Sequence, residues 1–462
     1  MSSLVTLIER ACLGIQGFQQ GRKAKVPAGP SGTAFILGQD VDTDELIGLS
    51  AQDFSRHFYV TGATGTGKTN LLLRLIDHLV ERGQTICLMD LRGDLVDRVL
   101  ARLAAAQHGD DLPGRLCLID LRDEALVPPF NPLVGPGSVH ARAYGILGAF
   151  RSKAESWGVQ LDEVLRNSLI ALASSKGTLC QLSELLVSED ARSRILGHAQ
   201  DPMVKDFFGR YDQLSKQMQN TLVSPALNKV TPFLALPVLR RMLCAPSGIS
   251  FQSLFETPGR VILIALAAHR LKEAGHLAGS LFLTAVEEAL LGRADQQEAG
   301  RRPLYLIIDE FENLACESFA TLVAEGRRYG AHLTLAHQNL GQLPKSLQES
   351  IRNNIHLQLF FQTGADDAVV LAREVSGFGK KESVKDLLTC LPVGEALFTE
   401  RSQATRRVRT VLADDADAAG GAIDSLRRRA ARDWKALHEA GLPARPSKQE
   451  KREIRHARPP RF

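Results

Sequence analysis

The chain alternates short, wholly apolar runs with longer stretches in which leucine and valine recur every three to four residues. The first pattern is that of strands buried on both faces, and the second that of amphipathic helices. "HFYVT" (57–61), "QTICLMD" (84–90) and "GRLCLID" (114–120) predict strands, and leucines at helical spacing over Asn70–Val80 predict a helix after the first. "TAFILGQD" and "DELIGLS" predict two small strands ahead of them. From about Ser138 to Gly248 the strand pattern stops, and "HARAYGILGAFRSKAES", "LDEVLRNSLIALASS" and "LCQLSELLVSED" are helical in period. Strands resume with "RVILIALA", "PLYLIIDEF", "AHLTLAHQN", "HLQLFFQTG" and "EALFTE". Such alternation predicts an α/β fold with a mostly parallel sheet, interrupted by an all-helical insertion. The expected organisation is an N-terminal segment with small strands (1–57), a first sheet part (58–137), the helical insertion (138–250), a second sheet part (251–412), and a charged helix with a basic, proline-bearing tail (413–462). The N-terminal segment opens with a helix-like stretch and the Pro/Gly linker "KVPAGPSG".

Composition narrows the class. A chain of 462 residues with 44% hydrophobic content can bury a large core, and its length suggests two to four domains. A net charge of +4 does not coat the surface, so contacts with nucleic acid would be local, in a channel or a tail. The seven cysteines are scattered without a C-x-x-C pair, which suggests neither a disulfide framework nor a zinc site and fits a reducing cytoplasm. No run approaches the ~20 apolar residues that span a bilayer, the best candidate, Val261 to Ala268, stopping at His269. The N-terminus carries Glu9 and Arg10 inside its apolar stretch and lacks the order of a secretory signal. The expectation is therefore a cytoplasmic protein without direct membrane insertion, any membrane association coming through a partner.

Between the predicted strand at 57–61 and the helix that follows lies Gly62-Ala63-Thr64-Gly65-Thr66-Gly67-Lys68-Thr69, the G-x-x-x-x-G-K-T spacing of a phosphate loop. Glycines let the backbone amides turn inward as an anion nest, and the positive end of the helix adds to it. Lys68 is suited to the β- and γ-phosphates and the Thr69 hydroxyl to a magnesium ion, with Asn70 closing the set. In "LYLIIDEFENLA", Asp309 and Glu310 stand at a strand end. Adjacent acids point in different directions, so Asp309 can serve magnesium while Glu310 polarises the attacking water. No N-K-x-D guanine signature occurs, since Asn228-Lys229 is followed by Val230-Thr231, so ATP with Mg2+ is the expected cofactor pair.

With these motifs in order, the chain resembles the HerA–FtsK branch of RecA-like motor ATPases, and within it the type IV coupling proteins of conjugation and secretion. The carriers are "GATGTGKT", "DLRGDL" where the family often has an aspartate-proline-lysine-glycine-aspartate run, "FNPL" (130–133), "LIIDEFENL", "GRRYG" (326–330) and "AHQNLGQL", spread from about Phe35 to Val411. The resemblance implies a RecA-like P-loop NTPase sheet with an inserted helical domain and an ATP-driven ring, a hexamer, that moves DNA without sequence preference. It also implies Gln338 as a polar sensor of the γ-phosphate, with a buried amide bonded to a neighbouring strand as the alternative. Arg327 in "GRRYG" is a candidate for acting on the neighbouring subunit's phosphate, Arg328 being its alternative and a solvated helix end the plainer reading. Asp90 and Asp94 read as a helix-capping pair more readily than as nucleotide contacts, and "FNPL" reads equally as a simple turn. Partners of the implied class are a relaxase, a nuclease or a secretion channel. A protein-secretion ATPase and a non-translocating nucleotide switch that recruits an effector are the rival functions.

Overall fold

The computed structural model describes residues 34–106, 114–124, 127–314, 317–375, 381–401, 403–413 and 420–440. The helix-like segment and linker expected at the N-terminus, and the basic tail after 440, lie outside the described residues. Eleven strands form one sheet: β1 (Phe35–Asp40), β2 (Leu46–Leu49), β3 (Phe58–Thr61), β4 (Thr85–Asp90), β5 (Leu116–Asp120), β6 (Val261–Ala265), β7 (Leu304–Asp309), β8 (Ala331–His337), β9 (Leu357–Phe360), β10 (Glu395–Glu400) and β11 (Arg406–Thr410), in the order β2-β1-β11-β10-β9-β3-β8-β7-β4-β6-β5. From β9 to β5 the pairing is parallel, whereas the β10, β11, β1 and β2 side is antiparallel. Continuous apolar runs make this possible, because strands such as β4 and β6 are buried at every position and need cover on both faces. The cover includes α1 (Lys68–Glu81) and α2 (Asp94–Ala105), whose leucines and valines join the core beneath β3 and β4. The two strands expected ahead of the core, β1 and β2, are part of the same sheet, joined through β11.

β11 was not among the strands that the apolar pattern predicts, since "RRVRT" carries arginine at three of its five positions. Arg407 is nevertheless buried, because Glu395 on β10 accepts its guanidinium at 2.7 Å while also pairing with Arg409 at 3.0 Å. A paired cation thus occupies what the pattern reserves for an apolar side chain. At the other edge of the sheet, α5 (Gly420–Ala440) packs on β5 and α2, burying Leu426 and Ala430. Here Arg122 bridges Asp120 and Asp97 at 2.7 and 2.6 Å, and Arg427 of α5 reaches Asp97 at 2.5 Å.

Between β5 and β6 the regular elements of the described residues are helices, among them α3 (Val139–Ser152), Val159–Ser174, Pro202–Asp212 and Lys216–Ala235. α3 packs against α4 (Glu273–Leu291), the long helix that follows β6. Asn131 of "FNPL" does more than turn the chain. Its amide donates to the carbonyls of Gly177 (2.9 Å) and Pro246 (3.3 Å), and its oxygen accepts the Leu133 N–H, so one side chain ties the way into the helical region to the way out. No single described helix is long and apolar enough to cross a membrane; Lys216–Ala235 and Pro237–Leu243, bent by 103°, meet that test of length and composition only as a pair. One expectation is corrected: Cys180 and Cys244 form a disulfide. They lie 64 residues apart, and the folding of the helical region, not any local spacing, brings them together.

At the base of this region Arg142 donates to the carbonyls of Leu133, Gly135, Pro136 and Gly137, while Glu288 on α4 lines the 430 Å³ cleft alongside Phe130, Ile249 and Phe251. Burial pushes the Glu288 carboxyl up to about 8, against the pull of Arg142. A carboxyl raised in the folded state binds its proton there and releases it in the unfolded chain. Its contribution is therefore full at low pH and lost as pH rises towards and through about 8. Glu288→Gln is expected to flatten this dependence, adding about 1–3 kcal/mol above pH 8 and little near pH 5, read from denaturant unfolding across that range.

Candidate nucleotide site

The strand-to-loop-to-helix step from β3 into α1 is held by its surroundings. Ala63 N–H donates to the Gln362 carbonyl (2.7 Å), Gly394 N–H to the Thr66 carbonyl (2.9 Å), and the Thr66 hydroxyl to the Ala63 carbonyl (2.8 Å). Two glycines are required sterically. A Cβ at Gly62 would lie 2.6 Å from that of Phe361, and Gly67 has φ +127° with the Phe361 ring 3.0 Å from where its Cβ would stand. The result is a concave backbone loop capped by the start of a fourteen-residue helix. The Lys68 ammonium folds back over it, donating to the carbonyls of Gly62 and Ala63. Burial lowers the Lys68 pKa, opposed by Asp309, Glu312 and Glu310. Of the residues expected at the loop, Asn70 is turned away: its amide donates to the Val411 carbonyl (3.0 Å) and its oxygen accepts the Ala413 N–H (2.7 Å). That side chain anchors the chain after β11.

Parallel register sets the acids beside the loop. Asp309 ends β7 opposite Asp90 at the end of β4, and β8, with His337 opposite Thr61, lies between β7 and β3. The Asp309 carboxyl is pushed up to about 7, first by burial and then by Asp90 and Glu310, with Lys68 pulling the other way. A carboxyl crowded by two other acids in this way is a ligand that a divalent cation would relieve. Asp90 is committed as a cap, its two oxygens accepting the N–H groups of Arg92 and Val96 (both 3.0 Å) at the start of α2. Glu310 has φ +53°, the left-handed region, which costs a non-glycine residue about 1–3 kcal/mol. Its neighbours hold it there. Glu310 N–H donates to Asp309 Oδ1 (3.0 Å), and the Glu310 carbonyl accepts from Asn313 N (3.2 Å) and Nδ2 (3.4 Å).

The strained backbone aims the Glu310 carboxylate at two partners. Gln338 Nε2 donates to it at 2.8 Å, and the Gln338 oxygen accepts the Thr64 hydroxyl at 2.8 Å, so one amide spans the phosphate loop and the acid. Gln338 is thus set at the loop and is not bonded into a neighbouring strand. Arg92 is the second partner, at 3.1 Å. In "DLRGDL" the aspartates carry the local signal and the arginine between them carries none, its partner lying far away in the chain. Glu312, in the same acidic run, is likewise raised to about 7, chiefly by burial, and its Oε2 has no hydrogen-bond partner among the described residues. Beneath Gln338, the Tyr59 hydroxyl pairs with His337 Nε2, and Phe311 packs on the same imidazole with 5.1 Å between centroids.

Arg327 and Arg328 are not brought to this cluster. They sit in the turn Gly326–Tyr329 that precedes β8, at the strands' N-terminal ends, whereas the loop and acids occupy the C-terminal ends.

The arrangement is that of a P-loop NTPase, and comparison with known proteins agrees. The model of the type IV secretion-system coupling protein DNA-binding domain matches residues 46–385. The bacterial conjugative coupling protein TrwBdeltaN70, unbound, superposes with a TM-score of 0.59 at 17% identity, covering 90% of this chain and 94% of that one. The plasmid coupling protein TrwB bound to a non-hydrolysable ATP analogue gives 0.60 at 17% identity, covering 86% and 98%. The DNA double-strand break repair helicase HerA of Sulfolobus acidocaldarius is 22% identical over 395 residues, 79% of this chain and 68% of the relative. With most of its length matched, including the phosphate loop, the acids of β7 and the helical region, this chain belongs to the family defined by the type IV secretion-system coupling protein DNA-binding domain.

Proposed function

We propose that this chain is an ATP-hydrolysing, ring-forming motor that binds and moves DNA. The observation that carries the reading is the Gln338 bridge, which joins the phosphate loop at Thr64 to the Glu310 carboxylate. A group so placed feels a γ-phosphate on one side and the water-directing acid on the other. Gly62, Ala63, Thr64, Gly65, Thr66 and Gly67 would cradle phosphate oxygens through backbone N–H groups, and Lys68 would exchange its two carbonyl partners for the β- and γ-phosphates. Thr69 and Asp309 would hold Mg2+, which neutralises charge on the transferring phosphoryl group. Glu310 would orient the attacking water, and Arg92 and Gln338 fix its carboxylate until then. Support for these cofactors comes from TrwB, whose structures include complexes with ADP and Mg2+ and with a non-hydrolysable ATP analogue.

The reading of DNA as the cargo is supported by the family and by the likeness to HerA. A motor that must pass any sequence grips the backbone, so binding should weaken steeply with salt and vary little with sequence, each phosphate contact contributing about −0.9 to the log–log salt slope on duplex DNA. The test is steady-state ATP hydrolysis with and without long DNA, alongside binding titrations over a range of salt. Stimulation by DNA with a steep salt slope is expected. Hydrolysis indifferent to DNA would leave the nucleotide switch as the better reading.

A further inference from the structure

We infer that Lys153 is a positioning residue through which the helical region between β5 and β6 sets the geometry of Glu310. The inference rests on Glu310 being the water-directing acid. Lys153 is the C-cap residue immediately after α3. Its ammonium donates at 2.7 Å to the carbonyl of Asn313. Asn313 in turn donates to the Glu310 carbonyl through both its backbone N–H and its side-chain amide. Three residues therefore run from the end of a helix to the one backbone position in the acid run that stands at positive φ.

Glu310 makes this path consequential. A left-handed backbone persists at a non-glycine residue only while its surroundings over-determine it, and two of the bonds that do so come from Asn313. Holding the Asn313 carbonyl restrains the residue whose N–H and side-chain amide both grip the Glu310 carbonyl, and so the direction in which the Glu310 carboxylate leaves the chain. A hydrogen bond from a charged ammonium is stronger than one from a neutral donor, which suits it to hold a carbonyl in a short turn.

The other end of the path is braced as well. Arg151, two residues before Lys153, pairs with Asp162, and the Trp157 indole N–H donates to the same carboxylate at 2.8 Å. Asp162 lies in the first turn of the helix Val159–Ser174. The turn that carries Lys153 is therefore clamped to that helix, and a displacement of the helix carries the ammonium with it. Cargo held by the helical region could in this way raise or lower hydrolysis without touching the nucleotide.

The experiment uses the full chain and three variants, Lys153→Met, Lys153→Arg and Glu310→Gln. Methionine keeps the stem and removes the charge, whereas arginine keeps a donor. For Lys153→Met we expect kcat to fall about 2- to 30-fold with KM for ATP unchanged, and the stimulation by DNA to shrink. Backbone amides of 310–314 should exchange faster in the nucleotide-free variant, exchange elsewhere being unaltered, and Lys153→Arg should recover most of both. Wild-type kcat or wild-type exchange at 310–314 in Lys153→Met would overturn the link, as would a fall in kcat that Lys153→Arg shares in full. Glu310→Gln separates the two readings. If it hydrolyses ATP at the wild-type rate, the reading of Glu310 fails, whereas a slow Glu310→Gln beside an unaffected Lys153→Met removes the Lys153 link alone.

Discussion

Replacing Arg327 with alanine is expected to slow ATP turnover by about 10³–10⁵-fold, the range for an arginine that stabilises charge on a transferring phosphoryl group. An exposed surface charge would be worth only about 0–1 kcal/mol. Position separates these outcomes. The seven residues of β8 put Arg327 about 20 Å from the C-terminal strand ends where Lys68 lies, too far for it to serve its own phosphate loop. It is exposed, its charge reaching the sheet's N-terminal edge, where burial foremost and Arg327 in part hold His57 near pKa 3 and His332 near 4. A planar, permanently charged fork at a surface turn is suited to a phosphate presented by a neighbouring copy. The assay mixes two inactive variants, Lys68→Ala and Arg327→Ala, each folded and assembled. Some mixed interfaces then pair an intact lysine with an intact arginine, and activity should partly return. Full activity in Arg327→Ala alone would end the assignment and transfer the question to Arg328.

Glu310→Gln should retain nucleotide while hydrolysing it about 10²–10⁴-fold more slowly, the usual contribution of a general base. The amide is nearly isosteric and can still accept from Gln338, but it surrenders the ion pair with Arg92 and the basicity proposed to act on water. Lys68→Ala should behave differently and lose nucleotide binding, because the role proposed for the lysine is to hold phosphate and not to act on water. Binding of a fluorescent ATP analogue together with single-turnover hydrolysis distinguishes the two. Equal hydrolysis by wild type and Glu310→Gln would remove the base assignment.

Much of the sheet was legible in the sequence because its central strands are buried on both faces and leave uninterrupted apolar runs. β11 escaped because its buried position is filled by an arginine whose partner, Glu395, lies on another strand. The glycines, lysine and acids of the site announce themselves through local spacing. Arg92, Asn313 and Lys153 do not, since each matters through a partner brought to it by the fold. The Cys180–Cys244 bridge and the raised Glu288 are illegible for the same reason.

The left-handed backbone at Glu310 also bears on how this protein would respond to artificial selection. Glycine adopts that conformation at no steric cost, and asparagine tolerates it better than glutamate. A library ranked by heat resistance alone would therefore drift, at this codon, towards residues that relax the chain and delete the carboxylate. With the role proposed for Glu310, selection for robustness and selection for work oppose each other at a single position, and laboratory evolution of a sturdier variant has to hold residue 310 fixed.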